Sequence, residues 1–321
     1  MEATEKQIIA PESWGGKSWI EQELAASTLP DARLEKRLRH LVEQLAKGVG
    51  RSIPWACQDW AAAKAAYRFF SNGRISEEQI LAGHFLATRE RIPGREELFL
   101  VVHDTTEFSY KREEPEAALE IRYRRISIQT AQGKPQRYPE QVVTVIEARE
   151  QETPPDRERI DWKLITDLAV STRQQAVEKV QWYALRWKIE VFHKILKSGC
   201  RAEDARLRTA SRLTNLLAVF CILSWRVFWL TMTNRIDPEA DPELVFTDLE
   251  LRIPDRLVAD KATAQPRQPM LSHYLIKLAR LGGYLARHSD PPPGNEIIWR
   301  GLTRLVDIQL GVIMGAEIVG N

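Results

Sequence analysis

The chain has 321 residues, 44% apolar and 28% charged, with 46 basic against 44 acidic side chains and a net charge of +2. That balance is ordinary for a globular protein and excludes global disorder. It also excludes a polyanion-binding surface built on bulk charge, so any nucleic-acid contact must come from local clustering. Three widely separated cysteines, Cys57, Cys200 and Cys221, lack a CxxC partner. They exclude a disulfide framework and a cysteine zinc site and point to a reducing, cytoplasmic setting.

From Met1 to Lys6 the chain is polar and acidic with no apolar stretch behind it, so no signal peptide is expected. Leu34, Leu38, Leu41 and Leu45 then recur at helical spacing across residues 30–47, with Asp31 as a cap. Arg33, Lys36, Arg37, Arg39 and Lys47 occupy much of the remaining surface. A second helix is predicted from Trp55 to Phe70, through an Ala-rich middle to Asn72-Gly73, and a third after Ser76 with Glu77 and Glu78 in its first turn. Three short helices with basic faces could bind DNA, and an ordinary helical cap domain fits the same pattern.

The texture then changes. Leu98-Phe99-Leu100-Val101-Val102 is a continuous apolar run suited to a strand buried on both faces. Asp104 follows it, where open α/β sheets place ligands and where a turn aspartate is equally at home. Shorter strands are predicted over 121–129, 141–148 and 162–167, separated by polar turns containing Gly133, Pro135, Pro154 and Pro155.

A long helix capped by Ser171 or Thr172 is expected to reach Ser198-Gly199. It carries Tyr183, Arg186, Glu190, Lys194 and Lys197 at spacings of 3, 4, 4 and 3. At about 100° per residue these fall within a stripe roughly 80° wide. Trp182, Leu185, Ile189, Phe192 and Leu196 fall mostly on the opposite, buried side. The stripe presents a phenol, a guanidinium, a carboxylate and two ammonium groups, a set suited to metal-assisted chemistry on a nucleic-acid backbone. A surface ion-pair stripe is the plainer reading of Glu190 and Lys194.

Residues 209–231 form an apolar helix. Asn215, Ser224 and Arg226 interrupt it, which favours a buried helix over a membrane span. Asp237-Pro238 and Asp241-Pro242 mark a boundary, and residues 252–269 are rich in Pro and charge. A final helical pair, 271–287 and 296–314, flanks a linker with three consecutive prolines.

The segment YALRWKIEVFHKILKSG resembles the Tyr-Arg-Glu-Lys signature of bacterial cut-and-paste DDE transposases of the insertion-sequence-four family. KAAYRFFSNGRISEEQILAGH resembles the region of that family that binds transposon ends. VVHDTTEFSY resembles its first catalytic strand, and IKLARLGGYLARHSDPPPGNEIIWRGL its C-terminal helices. The resemblance implies an α/β fold, with an RNase H-like catalytic domain flanked by helical regions. It implies a DNA-end-binding domain over 1–95, a catalytic domain over 96–235 and a dimerisation region over 236–321.

Residue by residue, it implies that Asp104 and Glu190 are catalytic, metal-binding carboxylates for Mg²⁺ or Mn²⁺. Tyr183, Arg186, Lys194 and Lys197 correspond to groups that hold DNA phosphates. Trp162 corresponds to an aromatic on which a flipped base stacks, while a core aromatic is its plainer reading. The implied partners are double-stranded DNA at transposon ends and a second copy or a full-length transposase, with no membrane. The implied reaction is two-metal phosphodiester hydrolysis followed by strand transfer.

The chain departs from the family in its middle. The family's second Asp, followed closely by Arg and another acidic residue, has no counterpart in the short interval between Asp104 and Glu190. The only aspartates there are Asp156, Asp161 and Asp167, none in the expected surroundings. The expectation is an internally deleted, truncated catalytic domain without the β insertion, with DNA-end binding retained and cleavage impaired. The alternative is a non-catalytic binder of DNA ends or inhibitor of a full-length transposase.

Overall fold

The computed structural model describes residues 18–92, 99–102, 118–129, 140–152, 158–259 and 270–319. They gather into two units, one from the described residues of 1–97 and 191–321, the other from those of 98–190. The chain is a mixed, mainly helical protein with a small antiparallel sheet.

In the first unit, α1 (Trp19–Glu23) starts at a capping box between Ser18 and Glu21. In α2 (Ala32–Lys47) the Asp31 carboxylate accepts from the Arg33 amide at 2.8 Å, the expected cap. The stripe Leu38, Leu41, Val42 and Leu45 is fully buried, each side chain contributing about 1.5–3 kcal/mol.

The single helix expected from Trp55 to Phe70 is two: α3 (Ile53–Cys57) and α4 (Trp60–Phe70). Two caps compete inside that stretch. Gln58 takes a left-handed conformation at φ 66°, and the Asp59 carboxylate then accepts from the Ala62 amide at 2.8 Å, restarting the helix. The third expected helix is α5 (Glu77–Glu90), begun by a capping box between Ser76 and Gln79.

The long apolar helix is α8 (Ala210–Ile236), capped by Thr209. It is long and apolar enough to cross a membrane, but 72% of its apolar window is buried inside the protein, so it is a core helix here. Several of its polar residues bond within the protein. The Asn215 amide donates to the Phe70 carbonyl at 3.2 Å, tying α8 to the end of α4. Arg226 donates to Glu250 at 3.0 Å, both nearly inaccessible.

Glu250 belongs to α9 (Asp248–Leu257), which takes in the front of the segment rich in Pro and charge. A capping box between Thr247 and Glu250 starts that helix, and Ile253 and Pro254 face inward. The final pair is α10 (Leu271–Leu281) and α11 (Asn295–Val319). The first is shorter than expected because Gly283 and Ala286 turn the chain at φ 95° and φ 53°.

The second unit holds β1 (Leu119–Ile128), β2 (Gln141–Glu150) and β3 (Asp161–Thr166), an antiparallel meander in that order. Ile121, Ala148 and Trp162 stand opposite one another, as do Tyr123, Ile146 and Leu164, so both sets share a face. Helix α6 (Arg173–Ala184), capped by Thr172 with Gln175, covers that face with Ala176 and Val180.

The apolar run expected as a doubly buried strand is different. Residues 99–102 are irregular, with Val101 79% exposed. Apolar content alone does not make a central strand, which needs hydrogen-bonding neighbours on both edges, and among the described residues β1–β3 pair only with one another.

Candidate nucleic-acid interface

The signature does not lie on one continuous helix. Tyr183 ends α6, Glu190 and Lys194 sit on α7 (Trp187–Lys194), and Lys197 lies in a π-helical turn, Ile195–Gly199. Between α6 and α7 the amides of Leu185, Arg186, Lys188 and Ile189 bond carbonyls three residues back, at 2.9–3.1 Å. Such tight turns advance about 120° per residue and shift the stripe's phase, so the projection at a uniform 100° fails here. Leu185, expected on the buried side, is 37% exposed, and no residue of α7 is buried.

Four of the predicted side chains, Trp162, Tyr183, Arg186 and Glu190, meet within the second unit. Trp162 of β3 packs edge-to-face on Tyr183, ring centres 5.1 Å apart. The Arg186 guanidinium lies 5.8 Å from the Tyr183 ring centre and forms an ion pair with Glu190. Burial alone would lower the Arg186 pKa, but charge and hydrogen-bond interactions with Glu190 and Tyr183 outweigh it and hold the group above its ordinary value. Trp162 is half-buried against Ile146, Ala148, Ala176 and Val180.

Lys194 and Lys197 are exposed and belong to the first unit, where Lys197 lies 3.8 Å from Glu203. Asp104 and Asp156 lie outside the described residues. Asp161 pairs loosely with Arg149 at 3.6 Å.

These residues do not fit a metal site by themselves. Among the described residues no three His, Cys, Asp or Glu side chains converge, and Glu190 is engaged by a cation.

A second constellation, missed in the sequence, lies in the first unit. Ala63, Ala66, Phe69 and Phe70 turn the apolar face of α4 into the core. This leaves Trp60, Lys64, Tyr67 and Arg68 outside, with Trp60 71% and Tyr67 41% exposed. They line an open cleft of about 650 Å³, whose other walls include Pro54, Gln58 and Arg212 of α8. Lys64 sits 5.0 Å from the Trp60 ring centre. Asp59 is the one carboxylate in the lining, and its Oδ1 is held by the α4 cap. The cleft thus combines two open aromatic faces with three cations. The signal was present in the sequence, since Trp60, Lys64 and Tyr67 share one stripe at i, i+4 and i+7.

Comparison with known families adds two matches. Residues 16–75 match the family model described as transposase DNA-binding, and residues 222–316 match that of the transposase Tn5 dimerisation domain. These two segments are similar to the DNA-binding and dimerisation domains of Tn5-type transposases. The first transposase domain contains α1 to α4 and every cleft residue except Arg212. The Tn5-type dimerisation domain takes in the second half of α8 and all of α9 and α10. The segment with Trp162, Tyr183, Arg186 and Glu190 lies between the two matches.

Proposed function

We propose that this chain is an internally deleted transposase of the insertion-sequence-four kind that binds transposon ends and pairs through its C-terminal helices, with strand cleavage lost or severely impaired. The observation that carries the reading is the order of the two matches, DNA-binding before dimerisation; the missing counterpart of the family's second Asp between Asp104 and Glu190 supports the deletion. In this reading residues 1–95 grip DNA, 96–235 are the remnant of an RNase H-like domain, and 236–321 hold the partner. The three-stranded sheet backed by α6 is what remains of the catalytic layer. Asp104 and Glu190 are the surviving carboxylates of a Mg²⁺ or Mn²⁺ site whose middle ligand is gone. Tyr183, Arg186, Lys194 and Lys197 are the phosphate-contacting groups, with Arg186 resting on Glu190 when no DNA is bound.

The test is a gel shift with a duplex ending in the inverted repeat that flanks the gene, followed by Mg²⁺ or Mn²⁺. Retarded, uncut duplex is expected. Efficient double-strand cleavage that disappears in Asp104→Ala would overturn the impairment, and failure to retard the duplex would overturn end binding.

The dimerisation match also favours a second reading, an inhibitor that pairs with a full-length transposase. Co-purification with an intact relative, and reduced transposition when both are expressed, are its expected results. Unchanged transposition would remove it.

A further inference from the structure

We infer that the cleft between α3, α4 and α8 is a stacking site for unpaired nucleotides next to duplex DNA, so that this chain prefers ends that are frayed or nicked open. The inference rests on the end-binding reading above and adds to it a structural form of the substrate.

Phosphate neutralisation by a helical domain needs cations alone; it does not need large aromatic rings open to solvent. Here Trp60 is 71% and Tyr67 41% exposed, on a helix whose two phenylalanines, Phe69 and Phe70, are buried. An open indole of that size loses hydrophobic free energy for as long as nothing covers it. Trp60 and Tyr67 are seven residues apart, hence on one stripe and separated by about 10.5 Å along the axis. That spacing is too long for two stacked bases of a duplex, about 3.4 Å apart on each strand. It suits an extended strand with a base on each ring.

The charges complement such an occupant. Lys64 stands between the two rings, with Arg68 beside Tyr67 and Arg212 across the cleft, against the single carboxylate Asp59. Lys64 lies near the Trp60 ring, which orients that ring before any base arrives. Aromatic platforms flanked by cations are how proteins hold single strands with little sequence preference. Trp162, by contrast, is half-buried in its own unit with its ring against Tyr183.

The experiment uses the full chain and two probes: the blunt inverted-repeat duplex, and the same duplex with a short single-stranded overhang carrying 2-aminopurine. Tighter binding of the overhang probe by about tenfold or more is expected, with quenched 2-aminopurine emission. Trp60→Ala should abolish both differences while leaving blunt-duplex binding in place, and Trp60→Phe should keep them. Trp60 is exposed, so unfolding is not expected in either variant, and circular dichroism verifies that. Equal affinity for the two probes, or equal loss on both in Trp60→Ala, overturns the inference and leaves end binding standing. Binding to neither probe overturns both.

Discussion

Gly301 on α11 tests the helix packing in the segment that matches the Tn5 dimerisation domain. A Cβ placed there would lie 2.2 Å from the Leu278 carbonyl oxygen on α10, 2.9 Å from its carbon and 3.1 Å from Leu278 Cγ. The near atoms are backbone and cannot rotate away, so Gly301→Ala must part the two helices by about an ångström. Parting loosens Leu278, Ile298 and Leu305, all fully buried. On an exposed helix position the same change stabilises by about 1 kcal/mol, because alanine is the better helix former. Overpacking against rigid backbone falls at the upper end of about 1–3 kcal/mol or beyond, so the net is a destabilisation of about 1–2 kcal/mol. Gly311, on the same helix with nothing within 4 Å of its Cβ, is the internal control. Guanidinium unfolding followed by tryptophan emission should therefore move the midpoint down for Gly301→Ala and leave or raise it for Gly311→Ala. Gly301→Ala as stable as the parent would refute the close approach of α10 and α11.

Three further outcomes are expected. Glu250→Ala leaves Arg226 buried without its partner and should cost about 3–5 kcal/mol in thermal or denaturant unfolding; a loss below about 1 kcal/mol would contradict the buried pair. Burial pushes the Cys200 thiol up to about 12, against a hydrogen bond with Ser224 that lowers it. A thiol that keeps its proton longer when folded makes the native state lose stability as pH rises from about 9 toward 12, by up to about 1.4 kcal/mol per unit. Cys200→Ala should flatten that decline, and native-state alkylation of Cys200 at pH 8 as fast as a free thiol would contradict it. Neutralising Lys64, Arg68 or Arg212 should each reduce the slope of log affinity against log salt by about 1 on the inverted-repeat duplex, and unchanged slopes would remove them from the phosphate-contacting surface.

Local chemistry made much of the fold legible in the sequence. Asp31, Ser76 and Thr172 were readable as caps because each places a side-chain oxygen before a helical stripe. The strand at Gln141 was readable because it alternates, sending Ile146 and Ala148 inward. What failed depended on competition or on partners. Gln58 breaks a helix only because Asp59 offers a better cap one residue on. The turn at Leu185 and Arg186 has no Gly or Pro to announce it, so the stripe looked continuous.

The site was legible in part for similar reasons. Spacing linked Arg186 to Glu190, and the structure pairs them, though across a tightened turn. Trp162 met Tyr183 only through sheet register, which no local pattern encodes. The cleft of Trp60 and Tyr67 was missed because aromatic residues in an Ala-rich helix read as core; the decisive fact is that Ala63, Ala66, Phe69 and Phe70 already fill the inward face.

The most direct measurement of the central claim is sedimentation velocity of the full chain with a fluorescent duplex ending in the flanking inverted repeat, in the presence of Mg²⁺. An intact duplex sedimenting with two copies of the chain is the predicted result. Duplex that sediments free at micromolar chain concentration, or that is recovered cut at the repeat, would contradict an end-binding protein that pairs without cleaving.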